Sequence, residues 1–299
     1  MNAMERLNMK MKVMNSRIVA GLDPTVENLP PELRPEDKDN IKAKVSAIRQ
    51  FCYQYVDAIY KLVPAIKINS AFFEEEELQP VYREIARYAQ KRGMFVIGDL
   101  KRADIGSTSA AYAKAWLGKN QPFDAITVNP YFGTDGIQPF IDMAVENNKG
   151  IFVLVKTSNK SSEEIQNKTT FLTRQNVFEH VADLVDYWGR SYTTSNEEYS
   201  LVGAVVGATH PKEAAMLRTS MPNTMFLVPG YGAQGAGADD VAINFDAHGG
   251  GAIVNSSRGL MCAYKKEEYE LIVKAEGWRG ATIQATKDAV DDINRAINK

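Results

Sequence analysis

Four charged residues of alternating sign lie in or just after two short apolar segments. Lys67 stands inside AIKIN, and Asp99, Lys101 and Asp104 stand in GDLKRADIG. An ionised side chain in a buried strand is costly unless an opposite charge lies near it. We therefore expect these four side chains to supply one another's partners at a common site.

The chemistry that such an array suits is decarboxylation. A lysine ammonium held by carboxylates keeps its proton, so it can stabilise a developing carbanion and then protonate it. A fixed carboxylate beside a substrate carboxylate would destabilise the bound acid, and loss of CO₂ would relieve that repulsion. A purely structural network of ion pairs is the alternative, and spacing alone leaves it open.

A second group of residues could bind an anion. The stretch VPGYGAQGAGADD contains glycines that would let backbone N–H groups approach a phosphate, at positions 230, 232, 235 and 237. Gln234 could reach a phosphate oxygen, and a helix is expected to begin near Asp239. Arg258, in NSSRGL, could grip phosphate with two hydrogen bonds. A flexible turn and a surface arginine are the alternative interpretation.

The elements that must position these residues are eight short β-rich segments that alternate with helical ones. The predicted strands are residues 17–23, 65–69, 94–101, 124–131, 151–158, 201–209, 225–232 and 251–258. Continuous apolar runs of this length, each followed by turn-forming residues, are typical of buried parallel strands. Apolar residues recur at helical spacing in residues 47–63, 82–93, 210–221 and 267–278.

This alternation fits either a closed barrel or a doubly wound sheet. Of the two, we favour an α/β fold with a (β/α)₈ TIM barrel. The 299 residues suit a single barrel domain over 1–299, with a core at about 17–262 and a helical segment to 299. Functional residues of such barrels lie at the carboxyl ends of the strands, and phosphate usually binds after strands seven and eight.

The barrel arrangement makes two local predictions about the charged and polar residues. Asp99 and Lys101 are two apart on a strand, so they should point to the same side. The polar stretch 159–172 follows the fifth strand and is a candidate lid. Ser158, just before it, could offer a hydroxyl to a ring carbonyl or amide.

Composition excludes several other classes of protein. Lys plus Arg total 35 and Asp plus Glu total 37, a formal net charge of −2, which disfavours nucleic-acid binding. The longest apolar runs are strand-sized and the first residues lack an apolar signal core, so we expect no membrane span and no secretion. Cys52 and Cys262 are expected to be reduced thiols in a cytoplasmic protein. None of the three histidines has ligand spacing, so we expect no metal and no organic cofactor.

The third-strand stretch resembles the D-x-K-x-x-D-I-G-x-T motif of the orotidine 5′-phosphate decarboxylase family. The matching positions are Asp99, Lys101, Asp104, Ile105 and Thr108. The segments GLDP, IKIN-AFFE, KTSN-SS, VPG-GAQG and NSSRG are similar, in the same order, to the longer second group of that family. These matches run across most of the chain, and they are specific as a set.

The resemblance implies a carboxy-lyase that converts orotidine 5′-monophosphate to uridine 5′-monophosphate (UMP) and CO₂ without a cofactor. This is the last step of de novo pyrimidine synthesis. Lys101 would protonate C6 of the pyrimidine after CO₂ leaves, and Asp99 would lie against the scissile carboxylate. Lys67 would bridge the carboxylates and touch the ribose.

The resemblance also implies how the substrate is bound. Asp23 would bind a ribose hydroxyl, Ser158 the pyrimidine ring, and Gln234 and Arg258 the phosphate.

A homodimer with shared active sites is a further implication of the resemblance. Asp104, with Ile105 and Thr108, would reach into the site of the other subunit.

Two alternatives remain at this point. Sugar-phosphate decarboxylases and aldolases of the same barrel superfamily share D-x-K-x-x-D but hold Mg²⁺ with acidic residues, one of them on the second strand. Lys67 occupies that strand here and would repel a metal. A non-catalytic barrel that binds a phosphorylated ligand is the other alternative, and the presence of all four charged residues argues against it.

Overall fold

A computed structural model describes residues 1–37, 39–75, 78–193, 198–232 and 235–299. Within them, eight parallel strands close into a barrel in chain order, with the last strand pairing with the first. The strands are β1 (Ile18–Leu22), β2 (Ala65–Asn69), β3 (Phe95–Arg102), β4 (Ala125–Val128), β5 (Gly150–Lys156), β6 (Val202–Val206), β7 (Phe226–Val228) and β8 (Ala252–Ser256). The predicted (β/α)₈ barrel is confirmed.

Helices connect the strands and pack around them. They are α1 (Ala3–Met14), α2 (Ile41–Ile59), α3 (Ala71–Glu75), α4 (Gln79–Lys91), α5 (Gly106–Leu117), α6 (Thr134–Glu146), α7 (Val177–Arg190), α8 (Pro211–Ser220), α9 (Ala238–Ala242), α10 (Arg258–Met261) and α11 (Glu270–Ile297). Helices α2, α4 and α8 lie where helical spacing predicted them. The fourth predicted helix is the start of α11, which runs on to Ile297 past a break at Gly277, where φ is 72°.

Alternate strand residues face two separate apolar regions, which explains why the strands lack an apolar–polar alternation. Val19 and Phe152 point into the barrel, whereas Ile18, Ile151 and Val153 belong to the larger core between the strands and the helices. Strands buried on both faces read as continuous apolar runs.

Helix α1 closes the amino-terminal end of the barrel. Its residues Ala3, Met4, Leu7 and Met11 are buried in the same cluster as the inward-facing strand residues. Asn2 caps the helix through its Oδ1, which accepts from two backbone N–H groups at its start. The core therefore begins well before residue 17, where the sequence prediction placed its start.

Lys149 lies just before β5 with only 8% of its surface exposed. Its ammonium donates to the carbonyl oxygens of Gly118 (3.2 Å) and Gln121 (2.7 Å). Burial lowers the pKa of Lys149 from 10.5 to about 8, although the Asp124 carboxylate opposes that shift. Between these two values the folded chain binds fewer protons than the unfolded chain.

The free energy of unfolding should therefore rise with pH between about 8 and 10.5, in part because of Lys149. We expect Lys149→Met to remove that part of the rise, as measured by urea unfolding below and above this interval. Lys119→Met, at an exposed lysine, is the matched control and should keep the wild-type slope. Parallel curves for wild type and Lys149→Met would contradict the assignment.

Candidate active site

Charged side chains from β2 and β3 meet at the carboxyl end of the barrel. Lys67 Nζ lies 2.6 Å from Asp99 Oδ2, and Lys101 Nζ lies 2.5 Å from Asp99 Oδ1. The side chains of Lys67 and Asp99 are 7% and 9% exposed, whereas that of Lys101 is 50% exposed. One carboxylate thus lies between a buried ammonium and an accessible one.

The electrostatics of this cluster keep Lys67 and Asp99 charged near neutral pH. Burial opposes ionisation of Asp99, but the ammonium groups of Lys67 and Lys101 outweigh it and hold the Asp99 pKa far below its usual range. Burial likewise opposes the charge on Lys67, yet the carboxylates of Asp99 and Asp23 raise its pKa. A carboxylate fixed in its charged form is available to repel a second carboxylate.

Lys101 reaches Asp99 through a bulge and not through a regular strand. Its φ is +48°, and the pairing of β3 with β4 shifts between Gly98 and Arg102. The backbone N–H groups of Leu100 and Lys101 both donate to Thr127 Oγ1 at 2.9 Å. The two side chains do converge, but a left-handed residue brings Lys101 back toward Asp99.

Thr127 is a residue of this site that sequence reasoning did not single out. Its hydroxyl accepts the two N–H groups of the bulge and donates to Asp99 Oδ1 at 3.0 Å, so its one donor and two acceptor positions are all used. The available signal was a polar residue in the apolar run AITV at 125–128.

The cluster opens into a cavity of about 700 Å³, a size that suits a nucleotide-sized ligand. Asp23, Ser158 and Arg258 line it, as do Lys67, Asp99 and Lys101. Further polar residues on its wall were not predicted: Asn28, Asn69, Thr127, Thr157, Asn159, Asn255 and Ser257. Leu154, Val205 and Leu227 supply apolar surface.

Two carbonyl or carboxyl oxygens in this wall are buried without a partner in the described part of the chain. They are Oδ1 of Asp23, after β1, and Oδ1 of Asn255, on β8. Buried polar atoms normally have hydrogen-bond partners. Both oxygens could accept from hydroxyl groups of a ligand.

The anion-binding region predicted after β7 and β8 is described in part. Gly230 and Arg258 line the cavity, and Gly230, Gly232 and Gly235 have positive φ values of 110°, 72° and 97°. Helix α9 begins at Ala238, close to the predicted start. The Arg258 side chain is exposed, and no ion pair in the described ranges engages it. Gln234 lies outside the described residues.

Asp104 does not join the cluster within this chain, contrary to the expectation drawn from spacing. Its Oδ1 accepts from the backbone N–H of Ile105 at 2.8 Å, and among the described residues no lysine pairs with it. Strand β3 ends at Arg102, and the chain then turns away into α5. Ile105 is 54% exposed, and Thr108 is exposed on α5.

Other features of the described ranges bear on the remaining predictions. They contain no group of three or more histidine, cysteine or acidic side chains placed to hold a metal ion. Both cysteines are free thiols; Cys52 is buried and Cys262 is partly exposed. No helix among these residues combines the length and apolar character that crossing a bilayer requires.

A parallel eight-stranded barrel with a lysine–aspartate–lysine cluster beside an arginine-lined cavity is a fold and site suited to phosphorylated ligands. The model of the orotidine 5′-phosphate decarboxylase / HUMPS family matches residues 16–272, and the chain belongs to that family. The resemblance seen in the sequence is thereby confirmed.

Individual relatives agree with this assignment. The chain is 42% identical to orotidine 5′-phosphate decarboxylase of Rhodopirellula baltica, over 89% of this chain and 90% of the relative. It is 36% identical to the enzyme of the same name from Caldicellulosiruptor bescii, over all of both chains. The solved structure of Leishmania donovani OMP decarboxylase matches with a TM-score of 0.75 and 28% identity, covering 100% of each chain.

Proposed function

We propose that this protein is an orotidine 5′-phosphate decarboxylase, which converts orotidine 5′-monophosphate to UMP and CO₂ without a cofactor. The observation that carries the proposal is the single carboxylate of Asp99 between the ammonium groups of Lys67 and Lys101. The family and its relatives support the same reaction. The proposal includes the last step of de novo pyrimidine synthesis, a cytoplasmic location and one barrel domain over residues 1–299.

Repulsion at Asp99 is the first element of the mechanism. The substrate carboxylate on C6 would lie beside Asp99, which stays ionised because two ammonium groups hold it so. Two adjacent carboxylates destabilise the bound acid, and the repulsion ends when one leaves as neutral CO₂. Lys67 and Lys101 meanwhile favour the negative charge that develops at C6.

Proton transfer from Lys101 completes the reaction. When the bond between C6 and the carboxylate breaks, its electron pair stays on C6. The Lys101 ammonium then gives a proton to C6, which yields UMP and a neutral amine. Because the Lys101 side chain is half exposed, solvent can return the proton after the product leaves.

Other residues would hold the rest of the nucleotide. Asp23 is assigned to a ribose hydroxyl, Ser158 to the pyrimidine ring, and Gln234 and Arg258 to the phosphate. Binding energy from the phosphate can then drive closure and water exclusion at the reacting carbon. The stretch 159–172 and the loop 230–238 are the candidate lids.

A homodimer with shared sites is part of the proposal. Exposed apolar side chains beside Asp104 support it, since Ile105, Tyr131 and Phe132 are 54%, 83% and 46% exposed. Gly136 brings these segments together, because a Cβ there would lie 3.0 Å from the Asp104 carbonyl oxygen and 2.8 Å from Phe132 Cβ. In such a dimer Asp104, Ile105 and Thr108 would complete the partner's site.

Mixing two inactive variants tests the shared site. Heterodimers of Asp104→Ala and Lys101→Ala subunits should recover about half of the wild-type activity, since a two-fold dimer would regain one of its two sites. Activity is measured on heterodimers purified with two different affinity tags. Heterodimers as inactive as either parent would argue that each site is built from one chain.

The reaction itself is tested by following the ultraviolet absorbance of orotidine 5′-monophosphate with purified protein, with and without excess EDTA. We expect conversion to UMP at the same rate in both. Turnover that EDTA abolishes would point instead to a metal-dependent sugar-phosphate enzyme of the same barrel class, and binding without turnover to a ligand-binding barrel.

A further inference from the structure

Lys156, at the carboxyl end of β5, is an unusual lysine that the proposed reaction does not use. It is completely buried, and in the described part of the chain no carboxylate lies within 4.0 Å of its ammonium. A buried lysine normally has an acidic partner, as Lys67 has in Asp99. A cation that is kept in the interior without one must be held there by other contacts.

Those contacts come from the segment between β5 and α7 and from the first turn of α7. Lys156 Nζ donates to Ser162 Oγ at 3.1 Å and to Asn167 Oδ1 at 2.7 Å. The ring of Phe178, near the start of α7, lies 5.7 Å from the same nitrogen. The ammonium therefore ties two points of the loop to the end of the strand from which the loop departs.

A second pair of hydrogen bonds closes the same loop next to Lys156. The backbone N–H of Thr157 donates to Gln166 Oε1 at 3.0 Å, and Gln166 Nε2 donates to Thr157 Oγ1 at 2.7 Å. The loop is thus folded back on the residue that follows Lys156. We call these contacts of Lys156 and Thr157 with Ser162, Gln166 and Asn167 the β5 clasp.

The residues next to the clasp form part of the cavity wall. Thr157, Ser158 and Asn159 all line it. From the other side, Thr209 Oγ1 donates to the Ser158 carbonyl oxygen at 3.0 Å. Gly207 lies so close that a Cβ there would come within 2.8 Å of Ser158 N and Cα. Ser158 therefore lies between the residues that follow β6 and the clasp, and loss of the clasp would free one side.

The imidazole of His210, which lies beside the clasp, does not add a second positive charge. His210 Nε2 lies 3.5 Å from Ser162 Oγ. Burial, followed by the Lys156 charge, lowers the pKa of His210, so its ring is neutral near pH 7. Burial also lowers the pKa of Lys156, while Glu213 and Glu163 oppose that shift from a distance.

We propose that Lys156 is a positioning residue: its ammonium holds the β5 clasp and so places Ser158 and its neighbours against the base of the bound nucleotide. This inference rests on the proposed function, because the base is its target. It assigns a role in substrate binding to a side chain that lines no part of the cavity itself.

Replacing Lys156 with methionine removes the ammonium but keeps a long apolar stem. We expect KM for orotidine 5′-monophosphate to rise about tenfold, as for one or two misplaced hydrogen bonds, with a smaller change in kcat. Lys149→Met is the matched control, because it changes a buried lysine at the opposite end of the same strand. It should leave KM unchanged, even though it alters stability. Equal KM values for wild type and Lys156→Met would overturn the proposal.

A double-mutant cycle separates positioning from a general loss of stability. If Lys156 acts through Ser158, the effect of Lys156→Met on KM should shrink in a Ser158→Ala background. Strictly additive effects would overturn the proposed route. Should Lys156→Met fail to fold, Asn167→Ala removes one contact of the clasp at a partly exposed residue and should raise KM in the same direction. An unchanged KM there would count against the proposal.

Trypsin gives a readout that does not depend on turnover. Cleavage after Lys160, Lys168 and Arg174 should be faster in Lys156→Met than in wild type or Lys149→Met. Equal cleavage rates would show that no clasp restrains the loop. If wild type proved inactive on orotidine 5′-monophosphate while the loop was still released in Lys156→Met, the proposed function would fail and the clasp would stand.

Discussion

Replacing Lys101 with alanine should lower kcat by about 10⁴-fold or more and leave the barrel folded. A positioned proton donor contributes ~10²–10⁴-fold and a preorganised charge a further ~10²–10³-fold, and this side chain is proposed to supply both. Because the Lys101 side chain is half exposed, its loss removes little packing. The measurements are kcat with saturating substrate and the midpoint of thermal unfolding. A kcat within tenfold of wild type would rule out the proposed proton donor.

Lys101→Arg separates the charge from the proton. An arginine side chain keeps its positive charge but does not release a proton in proteins. We expect this variant to bind a non-reacting nucleotide such as UMP as wild type does, while kcat stays near that of Lys101→Ala. An active Lys101→Arg enzyme would mean that the charge alone matters and that the proton comes from elsewhere.

Replacing Arg258 with alanine should lower kcat/KM far more for the nucleotide than for the nucleoside. The loss of a charged partner of a phosphate typically costs a factor of about 10²–10³, and we expect kcat/KM for orotidine 5′-monophosphate to fall by that factor. The value for orotidine, which lacks the phosphate, should hardly change. Both are obtained from initial rates at low substrate concentration.

Lys266→Ala is the matched control for Arg258→Ala, since it removes an exposed cation eight residues farther along the chain that is not among the residues lining the cavity and pairs with Glu268 instead. This variant should keep the wild-type kcat/KM for both orotidine 5′-monophosphate and orotidine. If Arg258→Ala lowered kcat/KM equally for nucleotide and nucleoside, the assignment of Arg258 to the phosphate would be wrong. A general disturbance of the site would then be the better explanation.

The barrel itself could be predicted because each strand is a local pattern. AIKIN and IFVLV are short, β-rich and bounded by turn residues. Eight such segments that alternate with helical ones fit a closed barrel or a doubly wound sheet, and the barrel is the fold that we chose. The meeting of Lys67 and Asp99 follows from that choice, because their strands are neighbours and both side chains face inward at the carboxyl end.

What sequence reasoning missed depends on contacts between distant parts of the chain. The left-handed turn at Lys101 exists because Thr127, on the next strand, accepts two backbone N–H groups, and no local pattern encodes that pairing. Helix α1 was missed for the same reason. Its methionine-rich sequence shows no clear apolar face. The buried face is defined by packing against the inward-facing residues of the strands.

Asp104 illustrates a different limit. Its spacing from Lys101 suggested an internal partner, but spacing does not reveal where a strand ends. Because β3 stops at Arg102, Asp104 falls beyond the inward-facing positions. Resemblance to the family implies a role for Asp104 in the site of a neighbouring subunit, and this is the role that we propose.

The closed amino-terminal end of the barrel also affects how substrate and products enter and leave the site. Among the described residues, α1 and the aromatic rings of Phe95 and Phe152 fill the amino-terminal end, and the cavity beside the charged cluster lies at the opposite end. In the proposed reaction, the two products UMP and CO₂ would leave through the same end of the barrel. CO₂ would have to leave past the bound nucleotide or after it. Product release, and not the breaking of the bond to C6, can then limit the rate of turnover.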